Sequence, residues 1–116
     1  MAEKGKTIAI WLVSGVLAAL FVASGGMKLA GAQAPIAAFT RYGYPAWFRL
    51  LIGVIEVVGA LLLLVPRLTA YGTTALGVVM IGAAYTHVMN AEASHALVPL
   101  ALLVALAGVA YARRPQ

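Results

Sequence analysis

The run IAIWLVSGVLAALFVASGGM, from Ile8 to Met27, carries no charged side chain over twenty residues. Lys4 and Lys6 stand before it and Lys28 follows it directly. A transmembrane helix needs about 20 apolar residues to cross the hydrocarbon core of a bilayer. A secretory signal peptide is the alternative, but its apolar core is shorter, at about 7 to 15 residues. We therefore interpret residues 8–28 as a first membrane span.

Three further apolar runs follow along the chain, over about residues 46–65, 68–89 and 96–112. Arg49 and Glu56 interrupt the first of these runs, and His87 lies near the end of the next. All are continuous and too long for the strands of a membrane barrel, which alternate over about ten residues. The sequence predicts an all-α fold: a bundle of four transmembrane helices that forms one integral membrane domain over residues 1–116.

The composition excludes most soluble functions. Of the 116 residues, 64% are hydrophobic and only 9% are charged, whereas a soluble domain carries roughly a quarter charged residues. The chain has no cysteine, which excludes disulfides, thiolate metal sites and iron–sulfur clusters. It also lacks the basic, aromatic-rich face in water that nucleic-acid binding needs. Any redox role would therefore depend on a bound cofactor.

The basic residues predict the orientation of the spans. With four spans both termini lie on one side, and five basic residues fall on that side: Lys4, Lys6, Arg67, Arg113 and Arg114. Three fall on the other side: Lys28, Arg41 and Arg49. Cytoplasmic loops carry the excess of Lys and Arg, so we expect both termini in the cytoplasm, with the final arginine pair as a stop at that face. The net charge of +5 then reflects topology and contact with anionic membrane lipids.

The longest segment outside the spans runs from Ala30 to about Pro45, on the outer side. Pro35 is expected to start a short helix that continues to Phe39, and Gly43 with the next two residues would turn the chain into the second span. One interpretation is a helix lying flat in an aromatic belt at the interface. The other is a lid over a cavity that opens on the outer side.

Small residues indicate where helices meet. Gly53, Glu56 and Gly59 follow at steps of three and share one helical face. Helices in lipid associate by close backbone approach through small residues, so this face predicts a compact bundle. The same glycine faces would also permit a homo-oligomer.

The ionisable residues inside the spans are the candidate site. A carboxylate inside a transmembrane helix costs a few kcal/mol, so Glu56 should face the bundle interior and have a partner. It lies about ten residues into its span, roughly 15 Å from the outer surface. Lys28 and His87 belong to the same half of the membrane. We expect Lys28, Glu56 and His87 to form one polar cluster, with three possible further members: Tyr85, Thr86 and Asn90.

Three roles are open for this cluster. It can be a structural ion pair with a histidine hydrogen bond that fixes helix register. It can be a ligand site, since an apolar pocket with a few converging polar groups is typical of small-molecule binding. It can also be an acid/base pair of Glu56 and His87, because burial can bring both groups to titrate near neutral pH.

We expect no metal site and no haem. His87 and His95 are eight positions apart, and a lone glutamate would complete a ligand set only if the chain bends to close it. His95 is expected to be solvated, and only His87 lies inside the bundle to hold a haem. Arg41, Arg49 and Glu92 are expected to serve the outer interface.

Several segments in order resemble the DoxX-like family of small bacterial four-helix membrane proteins. The matching residues are GGMKL at 25–29, GYP at 43–45, Gly53, Glu56, Gly59, Pro66, Met80, Ala83, Ala84 and His87. The resemblance covers nearly the whole chain and implies that Lys28, Glu56 and His87 are the family's polar positions. The family takes its name from a membrane subunit of a thiosulfate:quinone oxidoreductase. The resemblance therefore implies the bacterial inner membrane, a quinone as possible cofactor and a redox partner subunit.

Two classes of function fit these features best. In one, the bundle binds an apolar small molecule, a quinone or a lipid, through Lys28, Glu56, His87, Tyr85 and Asn90, as the membrane part of an oxidoreductase. In the other it is an isomerase-like enzyme that uses intramembrane proton transfer, for which other helical bundles offer an analogy only. A third possibility is an assembly or scaffold subunit.

Overall fold

The computed structural model describes residues 2–114. It has five α-helices, named α1 (Ala2–Ala30), α2 (Gln33–Tyr42), α3 (Ala46–Leu63), α4 (Thr69–Met89) and α5 (Leu97–Ala112). Short 3-10 helices precede α4 and α5, at Pro66–Leu68 and Ala93–Ala96. Four helical segments are long and apolar enough to cross a membrane: Glu3–Ala30, Ala46–Leu63, Pro66–Met89 and Ala93–Ala112. The prediction of an all-α bundle with four spans is confirmed.

Two helix boundaries differ from the ends of the apolar runs, and the residues at each boundary explain why. Helix α1 already includes Lys4 and Lys6, since lysine is a good helix former and needs no apolar surroundings. Helix α3 ends at Leu63, three residues before Pro66, because a proline ring disfavours helical geometry in the residue before it and removes an N–H donor.

The predicted short helix in the outer segment is present as α2, and two glycines frame it. Gly31 and Gly43 have φ of 76° and 83°, a left-handed conformation that a Cβ disfavours. After α2, the N–H of Gly43 donates to the carbonyl of Thr40 at 3.1 Å, and that of Tyr44 donates to the carbonyl of Phe39 at 2.9 Å. This cap stops the helix and turns the chain toward α3.

Glycine contacts bring α1 against α3. A Cβ built on Gly25 would lie 2.7 Å from the carbonyl oxygen of Gly53, and one built on Gly53 would lie 3.0 Å from that of Gly25. The predicted face of α3 is buried at Gly53, Glu56 and Gly59. Small residues thus serve close packing within one chain, and this contact sets the distance between the polar side chains of the two helices.

Arg113 links three helices at the end of the bundle where α1 begins and α5 ends. Its guanidinium donates to the carbonyl of Leu63 at 2.7 Å and to Oγ of Ser14 at 3.3 Å, and it lies over the Trp11 ring at 4.4 Å. Arg113 therefore caps the last turn of α3, where carbonyls lack helical partners. The adjacent Arg114 is exposed, as expected of a residue that flanks a span.

The lateral exterior of the bundle, which faces away from its core, is apolar. Many large aliphatic side chains are exposed, such as Leu12, Val78 and Val104, whereas the buried core contains Phe21, Leu76 and a few others. An apolar exterior is unfavourable in water but suits contact with lipid chains. The described chain is accordingly a multi-pass membrane protein.

Candidate functional site

All five helices contribute to the wall of a cavity of about 630 Å³, a volume typical of small-molecule pockets. The cavity is open on one side, where the lining residues Val78, Tyr85 and Val98 are exposed. Its walls are mainly aliphatic and aromatic side chains. The polar groups at its surface are Ser24, Lys28, Tyr42, Tyr44, Glu56, Tyr85, Thr86 and His87. The cavity is thus an apolar space with a small number of hydrogen-bonding groups.

The first group of polar side chains is the Glu56 cluster, formed by Ser24, Lys28 and Glu56. The Nζ of Lys28 lies 2.7 Å from Oε1 of Glu56 and donates to Oγ of Ser24 at 2.7 Å. Oγ of Ser24 lies 3.2 Å from Oε2 of Glu56. The Glu56 side chain is only 3% exposed, so both of its oxygens need partners, and both have one.

Helix geometry positions this cluster. Ser24 and Lys28 are four residues apart on α1 and share one face, and Gly25 lies between them at the contact with α3. Glu56 is three residues beyond Gly53, one turn along α3. Arg49 donates from its guanidinium to the carbonyl of Lys28, so a charged group of α3 also caps the last turn of α1.

The second group is the His87 cluster, formed by Arg41, Tyr42, His87 and Glu92. Tyr42 donates to Oε1 of Glu92 at 2.6 Å, and Nδ1 of His87 lies 3.2 Å from the same oxygen. The Tyr42 hydroxyl is 3.3 Å from Nδ1 of His87. Arg41 lies 3.0 Å from the other oxygen, Oε2 of Glu92. This cluster ties α2 to the end of α4 and the loop after it.

Hydrogen bonding and burial shift the pKa values of two groups in the His87 cluster. The pKa of Glu92 is lowered, first by the hydrogen bond that its carboxylate accepts from Tyr42 and then by the one that it accepts from His87. The pKa of Tyr42 is raised, first by burial and then by its hydrogen bond to Glu92. At neutral pH a negative carboxylate therefore faces a protonated phenol.

Helix α2 and the turn after it cover the cavity. Tyr44 donates to Oγ1 of Thr86 at 2.7 Å, since the Thr86 hydroxyl itself donates to the carbonyl of Gly82. The ring of Tyr44 packs on those of Phe39 and Phe48, with centroids 5.8 and 5.0 Å away. Phe39 also lines the cavity. Helix α2 therefore forms part of the cavity wall, as the interpretation of this segment as a lid requires.

The structure brings together part of the predicted cluster. Lys28 and Glu56 form the expected ion pair. The expected contact between His87 and Glu56 is wrong: the partners of His87 are Tyr42 and Glu92, because His87 lies near the end of α4, beside α2. His87 nevertheless lines the same cavity as Glu56.

Two of the three further residues predicted for the cluster line the cavity, and the third does not. Tyr85 lines the cavity although it is largely exposed, and Thr86 lines it through its contact with Tyr44. Asn90 instead donates from its side chain to the carbonyl of Thr86 at 2.8 Å. Asn90 therefore caps the end of α4.

Sequence reasoning missed three polar residues at the cavity. Ser24 could have been found, because its spacing of four from Lys28 places both on one face of α1. Tyr42 and Tyr44 gave no such signal, since their partners lie more than forty positions away in the chain. Glu92 was expected at the outer interface, and instead it joins the His87 cluster.

The bend that a metal site would need is present. Ligand atoms of His87, Glu92 and His95 all lie within 4.8 Å of one another, and the two imidazole centroids are 5.8 Å apart. Ala91, with a left-handed φ of 60°, and the 3-10 turn that follows it produce this bend.

Comparison with known proteins identifies the family. A family model described as the DoxX-like family matches residues 12–109, which include the described residues of the cavity and of both clusters. No curated protein and no solved structure matches the chain.

Proposed function

Because the chain belongs to the DoxX-like family, we propose that it is an inner-membrane protein that binds an apolar small molecule, a quinone or a lipid, in the cavity between its helices. Lys28 and Glu56 hydrogen-bond the polar end of the ligand, with His87 and Tyr85 at other parts of the wall. The single observation that carries this proposal is the cavity itself, about 630 Å³ with few polar groups.

The chemistry of the wall suits a molecule of this class. Burial of an apolar ring or chain against aliphatic and aromatic side chains supplies affinity, and a few polar groups fix orientation. Two N–H groups of the Lys28 ammonium are directed to Ser24 and Glu56, and the third can donate a hydrogen bond to a quinone carbonyl or a lipid ester. The hydroxyl of Tyr42 and the imidazole of His87 offer further hydrogen bonds elsewhere on the wall.

As a finer part of the same proposal, the protein is the membrane subunit of a quinone-linked oxidoreductase, with both termini in the cytoplasm. The chain has no cysteine, so electrons would pass through the bound quinone to a partner subunit. The basic residues on the terminal side favour that orientation.

The direct test is mass spectrometry of small molecules extracted from gently purified protein, followed by titration with a short-chain benzoquinone. Ala83 lines the cavity, so Ala83→Leu should fill part of it and weaken benzoquinone binding at least tenfold. Ala101→Leu is the matched control, because Ala101 is exposed on α5. Equal binding in both variants, together with extracts that contain neither quinone nor a specifically retained lipid, would refute the proposal.

One observation favours a structural role as the second candidate. Each oxygen of Glu56 already has a partner within the protein, which is what a cluster that fixes helix register requires. Glu56→Gln distinguishes the two roles. A scaffold predicts lower thermal stability with unchanged ligand content, whereas a ligand site predicts loss of the retained molecule.

A role as an intramembrane acid/base enzyme would place a further requirement on the substrate. Glu56 and His87 belong to separate clusters, so they can serve one reaction only on a substrate that extends between them within the cavity. A pH–rate profile whose limbs vanish separately in Glu56→Gln and His87→Gln would support that alternative.

A further inference from the structure

Three side chains with metal-binding atoms converge where α4 ends. They are His87 from the last turn of α4, Glu92 from the loop and His95 from the 3-10 turn, and their ligand atoms lie within 4.8 Å of one another. Nδ1 of His87 and Oε1 of Glu92 are 3.2 Å apart. His87 and Glu92 are partly exposed and His95 is exposed, so an ion could reach them from solvent.

The backbone holds this loop in a defined shape. The N–H of Glu92 donates to the carbonyl of His87 at 2.8 Å, and the N–H of His95 donates to the carbonyl of Glu92 at 2.8 Å. Between them Ala91 takes a φ of 60°, which is unfavourable for a residue with a Cβ. These bonds return the chain so that residues five and eight positions beyond His87 face it.

We propose that His87, Glu92 and His95 bind a divalent transition-metal ion such as Zn²⁺. Two imidazoles and one carboxylate are a ligand set that Zn²⁺ accepts, with a water or substrate in the fourth position. Ligands at about 2.0–2.2 Å from a tetrahedral ion lie roughly 3.4 Å apart. The pair His87–Glu92 has a spacing close to this, at 3.2 Å, and a ligand atom of His95 lies within 4.8 Å of both.

Two neighbours orient the carboxylate. Arg41 holds Oε2 of Glu92 at 3.0 Å, which leaves Oε1 toward the imidazole of His87. Tyr42 donates to Oε1, so an incoming ion would share that oxygen with the phenol. Hydrogen-bonded carboxylates are usual around metal ligands, where outer partners fix orientation. The charge of Arg41 opposes a second cation, but its side chain is largely exposed and solvent screens it.

The test is calorimetric titration of the whole protein, purified without a histidine tag, with Zn²⁺ in detergent micelles. We expect one ion per chain and no comparable binding of Mg²⁺, which prefers oxygen ligands. His95→Gln should weaken Zn²⁺ binding at least tenfold while the protein stays folded, since His95 is exposed. Glu92→Gln should have a similar effect. Glu3→Gln is the control, because that carboxylate lies at the start of α1, and it should bind Zn²⁺ as the wild type does.

A thermal-unfolding measurement gives a second readout, because an ion that binds only the folded protein raises the midpoint. The shift with Zn²⁺ should appear in the wild type and in Glu3→Gln and shrink in His95→Gln. Equal Zn²⁺ affinity in the wild type and His95→Gln, or binding well below one ion per chain, would overturn the inference. Neither measurement uses a quinone or lipid, so this site and the proposed cavity function succeed or fail separately.

Discussion

Glu56 is a carboxylate in the apolar interior that keeps its charge partner within hydrogen-bonding distance. Lys28 lies 2.7 Å away, and Ser24 bonds both of them. Removing one member of a buried ion pair leaves an uncompensated charge, whereas replacing both members with apolar groups is often neutral. We therefore expect the pair to add little net stability compared with two apolar side chains of similar size.

The first prediction concerns this pair. Lys28→Met should lower the free energy of unfolding by about 3 to 5 kcal/mol, because Glu56 loses its cation. The double variant Lys28→Met with Glu56→Leu should recover most of that loss. Denaturation in mixed micelles measures both, and a single variant as stable as the wild type would contradict the importance of the pair.

The second prediction concerns two residues with left-handed backbone. Ala91 has φ of 60° and Gly43 has φ of 83°. Ala91→Gly should raise the free energy of unfolding by about 0.5 to 1 kcal/mol, since glycine adopts this conformation freely. Gly43→Ala, which meets no other atom within 4 Å, should lower it by a similar amount. Thermal unfolding checks both, and shifts of the same sign would contradict the assignment of backbone strain.

At the scale of elements, the approach of α1 to α3 decides whether the Glu56 cluster can form. The two helices meet through Gly25 and Gly53, and the polar side chains of the cluster follow within one turn of that contact. A side chain inserted at the contact would separate the helices and lengthen the distance from Lys28 to Glu56.

The third prediction follows from that contact. Gly25→Ala places a Cβ 2.7 Å from the carbonyl of Gly53 and should destabilise the protein by about 1 to 3 kcal/mol through overpacking. The adjacent Gly26→Ala is the control, because its Cβ meets no other atom within 4 Å. It should leave stability unchanged or raise it by up to about 1 kcal/mol. Comparable losses in both variants would show that helix contact is not the cause.

Local sequence patterns were enough to predict where most of the helices lie. The apolar runs predicted the four spans, and Pro35 with Gly43 predicted α2, because helix start and stop signals lie within a few residues of each other in the chain. The sequence predicted a loop between the third and fourth spans, but not its bend, since an alanine at φ 60° carries no sequence signal.

At the scale of the whole molecule, the charge distribution predicts orientation across the membrane. The terminal end carries Lys4, Lys6 and Arg67, which favours the cytoplasm. The fourth prediction uses the absence of cysteine from the chain, which makes single-cysteine labelling specific. In spheroplasts a membrane-impermeant maleimide should label Ala37→Cys on α2 and label Lys6→Cys only after the membrane is opened.

Both positions are exposed in the structure, so equal intrinsic reactivity in detergent is the control. Labelling of Lys6→Cys in intact spheroplasts, with Ala37→Cys protected, would reverse the proposed orientation. The cavity and both clusters would then open toward the cytoplasmic half of the membrane.

The four spans, the short helix between the first two and the ion pair of Glu56 with Lys28 could all be predicted from the amino-acid sequence. These depend on local hydrophobicity and on the high free-energy cost of an unpaired charge in an apolar medium, which leaves few solutions. The contacts of His87 with Tyr42 and Glu92, and the cavity between the helices, became evident only from the packed helices. A histidine at the membrane edge can form hydrogen bonds with several different partners at similar free energy, so its sequence position does not select one. The cavity depends on how all five helices pack, so no single stretch of sequence predicts it.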